Sequence, residues 1–126
     1  MALYSNDIQL TFQAAEDMRA RQYHIMRLNA AGTVAVSSGG TTQQLIGGVL
    51  QNKPNANQAA AVTVFGESKV VCGSAVTANN MVTANASGRA INASSGDWTV
   101  GMAMEAGNSG EVIRVLLRTP AVRVTY

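Results

Sequence analysis

The chain has little of what most enzymes and secreted domains rely on. A single cysteine, Cys72, rules out an internal disulfide framework, so packing alone must hold the fold. A single histidine, His24, leaves no second imidazole for a histidine metal site or a paired proton shuttle within one chain. Aromatic residues are 5% of the sequence and charged residues 13%, about half the usual charged share. Two prolines and no long apolar run complete the list, and nothing approaches the length of a membrane-spanning helix. The net charge of +2 is too small to imply nucleic acid, and the basic residues are dispersed from Arg19 to Arg123.

What is present is Ala, Val, Gly, Asn, Gln, Ser and Thr, with an apolar fraction of 47%. A neutral surface of this kind suits burial against neighbours better than life as an isolated monomer. At 126 residues the chain is one domain, long enough to bury a real core. With no basic-then-apolar leader, Met1 is expected to begin the mature protein, made in a reducing cytoplasm. The triplets at Asn85 and Asn92 match glycosylation acceptors, but in an Asn- and Ser-rich chain without a leader they read as chance.

The stretch Val62–Val82 sets the pattern for the whole. Val62 and Val64 alternate with Thr63 and Phe65, Gly66 interrupts, and Lys69–Cys72 extends again. Gly within a strand pattern predicts a bulge or bend. Gly73-Ser74 and Asn79-Asn80 then turn the chain. Short β-prone runs with small polar turns between them predict an all-β fold, a compact antiparallel barrel or sandwich.

Ahead of that stretch, residues 1–6 have no period and form an arm. Ile8, Leu10, Phe12 and Ala14 alternate with Gln9, Thr11 and Gln13, predicting an amphipathic strand with an uncharged outer face. Residues 15–21 are the one candidate helix, acidic then basic. Tyr23–Leu28 and Thr33–Val36 predict a hairpin across Asn29–Gly32. The glycine pair in Leu45–Leu50 predicts a bend or a close backbone approach. Later strands are expected at Arg89–Ile91, at Trp98–Met104 with Trp98, Val100, Met102 and Met104 on one side, and at Glu111–Arg118. In the last, Ile113, Val115 and Leu117 face in while Arg114 and Arg118 face out beside Val112 and Leu116. Pro120 is expected to break that strand and leave a tail. The organisation expected is residues 1–14 as arm and first strand, 15–118 as the β-rich domain and 119–126 as tail. One core is expected to hold Ile8, Leu10, Phe12, Val62, Val64, Ile113, Val115 and Leu117.

Candidate chemistry is sparse. A Cys72–His24 pair requires an adjacency the sequence does not supply, and a small buried thiol is the plainer reading. The acids are scattered without carboxylate-pair or calcium-loop spacing. Gly39-Gly40 and Gly47-Gly48 lack the lysine and hydroxyl of a phosphate loop. Trp98, Met102 and Met104 read as core in preference to a ligand-lining patch. Arg114, Arg118 and Arg123 read as outward-facing strand charges in preference to a basic edge for DNA.

The order GVLQNKP (Gly48–Pro54), VTVFGESKVVCG (Val62–Gly73), ASGRAI (Ala86–Ile91), VGMAMEA (Val100–Ala106) and GEVIRVLL (Gly110–Leu117) resembles a family of small tailed-phage head decoration, or capsid cement, proteins. The resemblance runs from about Tyr23 to Leu117. Where that family often carries Gly-Asp, this chain has Asn79-Asn80, which also tolerates positive φ.

The resemblance implies a non-enzymatic protein without cofactor or metal, bound to the outer surface of an assembled virion and bridging capsomers. Its implied partners are the major capsid protein and copies of itself, most naturally a homotrimer, with no membrane and no direct nucleic acid. Leu3, Tyr4, Gln9, Thr11 and Gln13 are the candidate capsid contacts, because an uncharged strand with a free arm can pair with another chain's edge. Arg118, Val122, Val124 and Tyr126 are the candidate contacts between subunits. The alternative is a phage DNA-binding accessory protein in recombination, supported only by the slight positive charge and the C-terminal arginines.

Overall fold

A computed structural model describes residues 7–39 and 45–123, with side chains over 7–39 and 48–117. Nine strands follow in order: β1 (Ile8–Gln13), β2 (Ile25–Leu28), β3 (Val34–Val36), β4 (Leu45–Leu50), β5 (Ala59–Val71), β6 (Met81–Ala84), β7 (Ala90–Asn92), β8 (Trp98–Ala103) and β9 (Val112–Arg123). All ladders between them are antiparallel, and among the described residues there is no helix. The all-β expectation holds.

The long strand β5 organises the molecule. Hydrogen-bonded neighbours run β3-β2-β4-β5-β9-β8-β6-β7, with β1 also on β5. The first half of β5 pairs with β1 and β4, and the second half, from Gly66 to Val71, pairs with β9. Gly66 therefore does not end a strand. With φ at +101° it bends one continuous strand from one set of partners to the other. A Cβ there would run into Asp7, whose Oδ1 accepts the Glu67 N–H at 3.0 Å.

Each half of β5 belongs to a curled unit completed by an isolated parallel bridge. In the first, β1-β5-β4-β2-β3 is closed by the bridge Ala14–Val34, where the Ala15 N–H donates to the Val34 carbonyl at 2.9 Å. In the second, β5-β9-β8-β6-β7 is closed by Cys72–Ala90, where the Gly73 N–H donates to the Ala90 carbonyl at 2.8 Å. The apolar interior is correspondingly divided. Ala14, Met18, Met26, Val34, Leu50, Ala60, Val62 and Val64 fill one core. The other holds Val70, Cys72, Val82, Val100, Ile113, Val115 and Leu117 among others, together with Ile25 and Val49. On β2 and β4, adjacent residues thus enter different cores, Ile25 against Met26 and Val49 against Leu50, so this two-strand layer is buried on both faces.

The division corrects the expected single core. Val62 and Val64 lie in the first, and Ile113, Val115 and Leu117 in the second. Ile8 and Leu10 lie in neither and are about half exposed, because β1 overhangs the first core and only Phe12 packs against it.

Four local expectations also change. Residues 15–21 form turns: the Asp17 carboxylate takes the Arg19 N–H at 3.1 Å, competing with helical bonding, and Met18 plugs the first core. The strand expected from Tyr23 starts at Ile25, since Tyr23 sits at φ +66° within a turn in which the His24 N–H reaches the Arg21 carbonyl. On β8 the register slips between Thr99 and Gly101, so the alternation breaks. Val100 and Ala103 are then buried, while Met102 and Met104 face out. Finally, β9 continues through Pro120 to Arg123. Leu117 pairs with Gly101 and Val122 with Thr99, so the intervening residues make an irregular stretch where a missing N–H costs no ladder bond.

Candidate functional site

Cys72 and His24, the candidate nucleophile and base, are not engaged with one another. Cys72 is buried in the second core, and burial pushes its thiol pKa up, helped by Glu111 and Glu105, so the thiolate is disfavoured. His24 Nδ1 lies 3.2 Å from the Gln22 carbonyl, and Nε2 has no hydrogen-bond partner, so no Cys72–His24 hydrogen bond exists. Among the described residues, no three His, Cys, Asp or Glu side chains cluster as a metal site would require.

The less favoured reading of the C-terminal arginines, a basic edge for DNA, is weakened at Arg114. Arg114 pairs through Nε with Glu105 at 2.9 Å and through Nη1 with Glu67 at 3.7 Å. The hydrogen bond to Arg114 holds Glu105 below the usual carboxylate range, and the same bond raises Arg114. These groups are exposed, so the pairs add little stability. Their effect is to cancel the cation a phosphate would seek. The side chains of Arg118 and Arg123 lie outside the described set.

What the surface does present is an apolar stripe crossing the sheet. It starts at Ile8, 51% exposed, which sits opposite Phe65, 50% exposed, in the β1–β5 ladder. The stripe continues across β9 at Leu116, 46% exposed, and reaches Met102 opposite it on β8. Met81 on β6 then pairs with Met102. Phe65, Met81, Gly101, Met102, Leu116 and Leu117 line a shallow hollow of about 330 Å³. Leu10, also half exposed, extends the apolar surface along β1.

The local chemistry explains why the hollow forms. Gly101 makes its floor because no Cβ fits there; the Leu116 carbonyl oxygen already occupies that space. The register slip beside Gly101 turns Met102 outward, and the φ of Gly66 turns β5 just past Phe65. Two methionines and two large hydrophobes give an adaptable apolar surface, the composition of a protein-contact patch more than of a fitted small-molecule pocket.

The candidate contacts are only partly visible. Gln9, Thr11 and Gln13 are exposed on β1 as expected, with Gln13 Nε2 reaching Asn57 Oδ1 at 3.4 Å. Among the described residues, the edge of β1 away from β5 carries no ladder. Leu3, Tyr4, Val124 and Tyr126 fall outside the described residues, while Arg118 and Val122 belong to β9 by backbone, with Val122 opposite Thr99. The residues that sequence reasoning missed are Phe65, Met81 and Met102. Leu116 was legible as outward-facing, and Phe65 shares parity with the polar side of its strand. Met102 was not, because the slip that exposes it depends on β9.

No protein-family model matches the sequence, and no curated protein matches it significantly. Among solved structures, the fold is similar to the crystal structure of the N base of the head fiber protein gp8.5 of bacteriophage phi29. The TM-score is 0.69 at 13% sequence identity, and the match covers 94% of this chain and 99% of that one. The two therefore share a fold over essentially their whole lengths.

Proposed function

We propose that the chain is a structural protein of a tailed-phage head, a non-enzymatic decoration or cement protein on the outer surface of the shell. The observation that carries this reading is the end-to-end likeness of fold to the base of a phage head fiber. The order of sequence motifs, which resembles head decoration proteins, reaches the same class by a separate route.

In this reading the contact with the major capsid protein is made by the apolar stripe and the neighbouring open edge of β1. Apolar burial at Ile8, Phe65, Leu116 and Met102 supplies affinity, and main-chain bonds along Ile8–Gln13 supply direction. The mechanism is bridging. An oligomer, a homotrimer for a site of three-fold symmetry, grips adjacent capsomers at once. Linked contacts combine through effective concentration and can exceed single-site affinity by about 10²–10⁴. The shell then resists the pressure of packaged genome with no covalent bond.

The test is co-sedimentation of purified protein with mature heads of the phage that encodes it, comparing wild type with Phe65→Ser and Leu116→Ser. Covering the exposed half of each side chain is worth about 2 kcal/mol, so each variant should lose about thirtyfold in affinity while staying folded, melting somewhat below wild type for the buried half it also loses. Wild type that fails to bind heads overturns the head assignment. Variants that bind like wild type remove the stripe from the interface.

A further inference from the structure

The only histidine of the chain lies in an unusual electrostatic setting away from the stripe. The turn Arg21–His24 closes through the His24 N–H and the Arg21 carbonyl at 3.1 Å, with Tyr23 at φ +66° inside it. The next residue, Ile25, donates its N–H to the Gly88 carbonyl at 2.7 Å. Gly88 makes that approach possible, because at φ +76° it has no Cβ to strike the Val36 side chain. Two segments distant in sequence are thereby locked together, which brings Arg89, next to Gly88, alongside the Arg21–His24 turn.

The polar groups gathered there are under-satisfied. His24 is 3% exposed. Its Nδ1, facing the Gln22 carbonyl at 3.2 Å, carries the proton of the neutral ring, which leaves Nε2 as a bare acceptor. His24 Nε2 and Arg89 Nε are the buried side-chain atoms without any hydrogen-bond partner among the described residues. Arg19 and Arg114 each have a carboxylate partner, whereas Arg21 and Arg89 have none within ion-pair distance among the described residues. The charged groups acting on the imidazole are Arg21 and Arg89, both positive. A buried guanidinium nitrogen and a buried imidazole nitrogen without partners are expensive to leave so, and call for a ligand.

We propose that Arg21, His24 and Arg89 bind a small oxyanion, a phosphate or a carboxylate. Arg89 Nε–H donates to one oxygen of the anion. His24 takes up one proton at Nε2 as the anion arrives and donates it as a second hydrogen bond. Arg21 is exposed, beside a hollow lined with Asp17, Arg19 and Ala20, and adds a positive charge near the imidazole. Asp17 does not oppose the anion strongly, since it is paired with Arg19 at 2.8 Å. The site stands independently of any role on a phage head.

Because His24 is the sole imidazole, ¹H–¹³C spectra of the full chain report on the site without assignment. Sodium phosphate and sodium acetate are titrated separately, with sodium chloride holding ionic strength constant. The imidazole signal should shift saturably with one or both anions, and its titration should move to higher pH. Arg21→Gln, at an exposed position, and Arg89→Met, which keeps the packed stem, should each weaken binding about tenfold, the worth of one charge-assisted contact. A response to phosphate alone or to acetate alone supports the site and names its ligand. A shift that chloride reproduces, or that persists unchanged in both variants, overturns it.

Discussion

Replacing Gly101 with alanine tests the register slip on which both the second core and the apolar hollow depend. Gly101 pairs with Leu117 across the β8–β9 ladder, next to the irregularity at Thr99. A Cβ on residue 101 would meet backbone only: the Leu116 carbonyl oxygen, the Leu116 carbonyl carbon at 2.8 Å and the Leu117 Cα at 3.0 Å. A flexible side chain could swing aside, but these atoms belong to β9, which is held by β5 on its other side from Gly66 to Val71. Relief therefore requires β8 and β9 to part locally, with strain of about 3 kcal/mol, the upper part of the usual overpacking range. For a domain of this size that is a fall in Tm of about 10 °C.

Gly110→Ala provides the control. Gly110 has φ +85° but nothing within 4 Å of an added Cβ, so only the backbone penalty of about 1 kcal/mol applies. Denaturant melts of both variants separate the two costs, with an unchanged slope showing that the unfolded state is not involved. Equal losses in the two variants, or a Gly101→Ala protein as stable as wild type, would refute the close approach and the packing of β8 on β9.

Ile25→Val and Met26→Ala, adjacent on β2 but in different cores, should cost about 1 and about 3 kcal/mol and add within about 0.5 kcal/mol; strong coupling would mean a single shared core. Burial foremost, with Arg21 and Arg89 adding to it, holds the folded His24 imidazole below its ordinary value of 6.5, so the unfolded chain takes the proton first. Stability in chloride buffers should therefore fall as pH drops below about 6.5. His24→Asn should flatten the slope of stability between about pH 7 and pH 5, and identical slopes would reject the assignment. The arm is proposed to grip the shell, so deleting Ala2–Asn6 should leave folding and oligomeric state unchanged, as read by melting and sedimentation, while weakening attachment to heads. Decoration as tight as that of the full chain would place the grip elsewhere.

Much of the local structure was legible in the residues. Period-two alternation marked strands at Ile8–Gln13, Val62–Val64 and Ile113–Leu117, because side chains on a pleated strand must alternate sides. Glycine and asparagine marked the turns at Asn29–Gly32 and Asn79-Asn80, and Gly32 and Asn79 both adopt the positive φ those residues tolerate best. The close approach at Leu45–Leu50 was also readable, for a Cβ on Gly48 would strike the Val62 side chain. Alternation, however, says only which residues share a side, not whether anything covers that side. The same pattern that buries Val115 leaves Ile8 and Leu10 half exposed, since β1 overhangs its core. The bend at Gly66 was legible as well, but tertiary structure alone kept β5 continuous through it, divided the interior in two and slipped β8 against β9 so that Met102 faces out. It also brought Arg89 to His24, residues 65 positions apart, through one backbone hydrogen bond between Ile25 and Gly88. Strand and turn are settled by neighbours along the chain; burial and the company of charged groups are settled by what packs across from them.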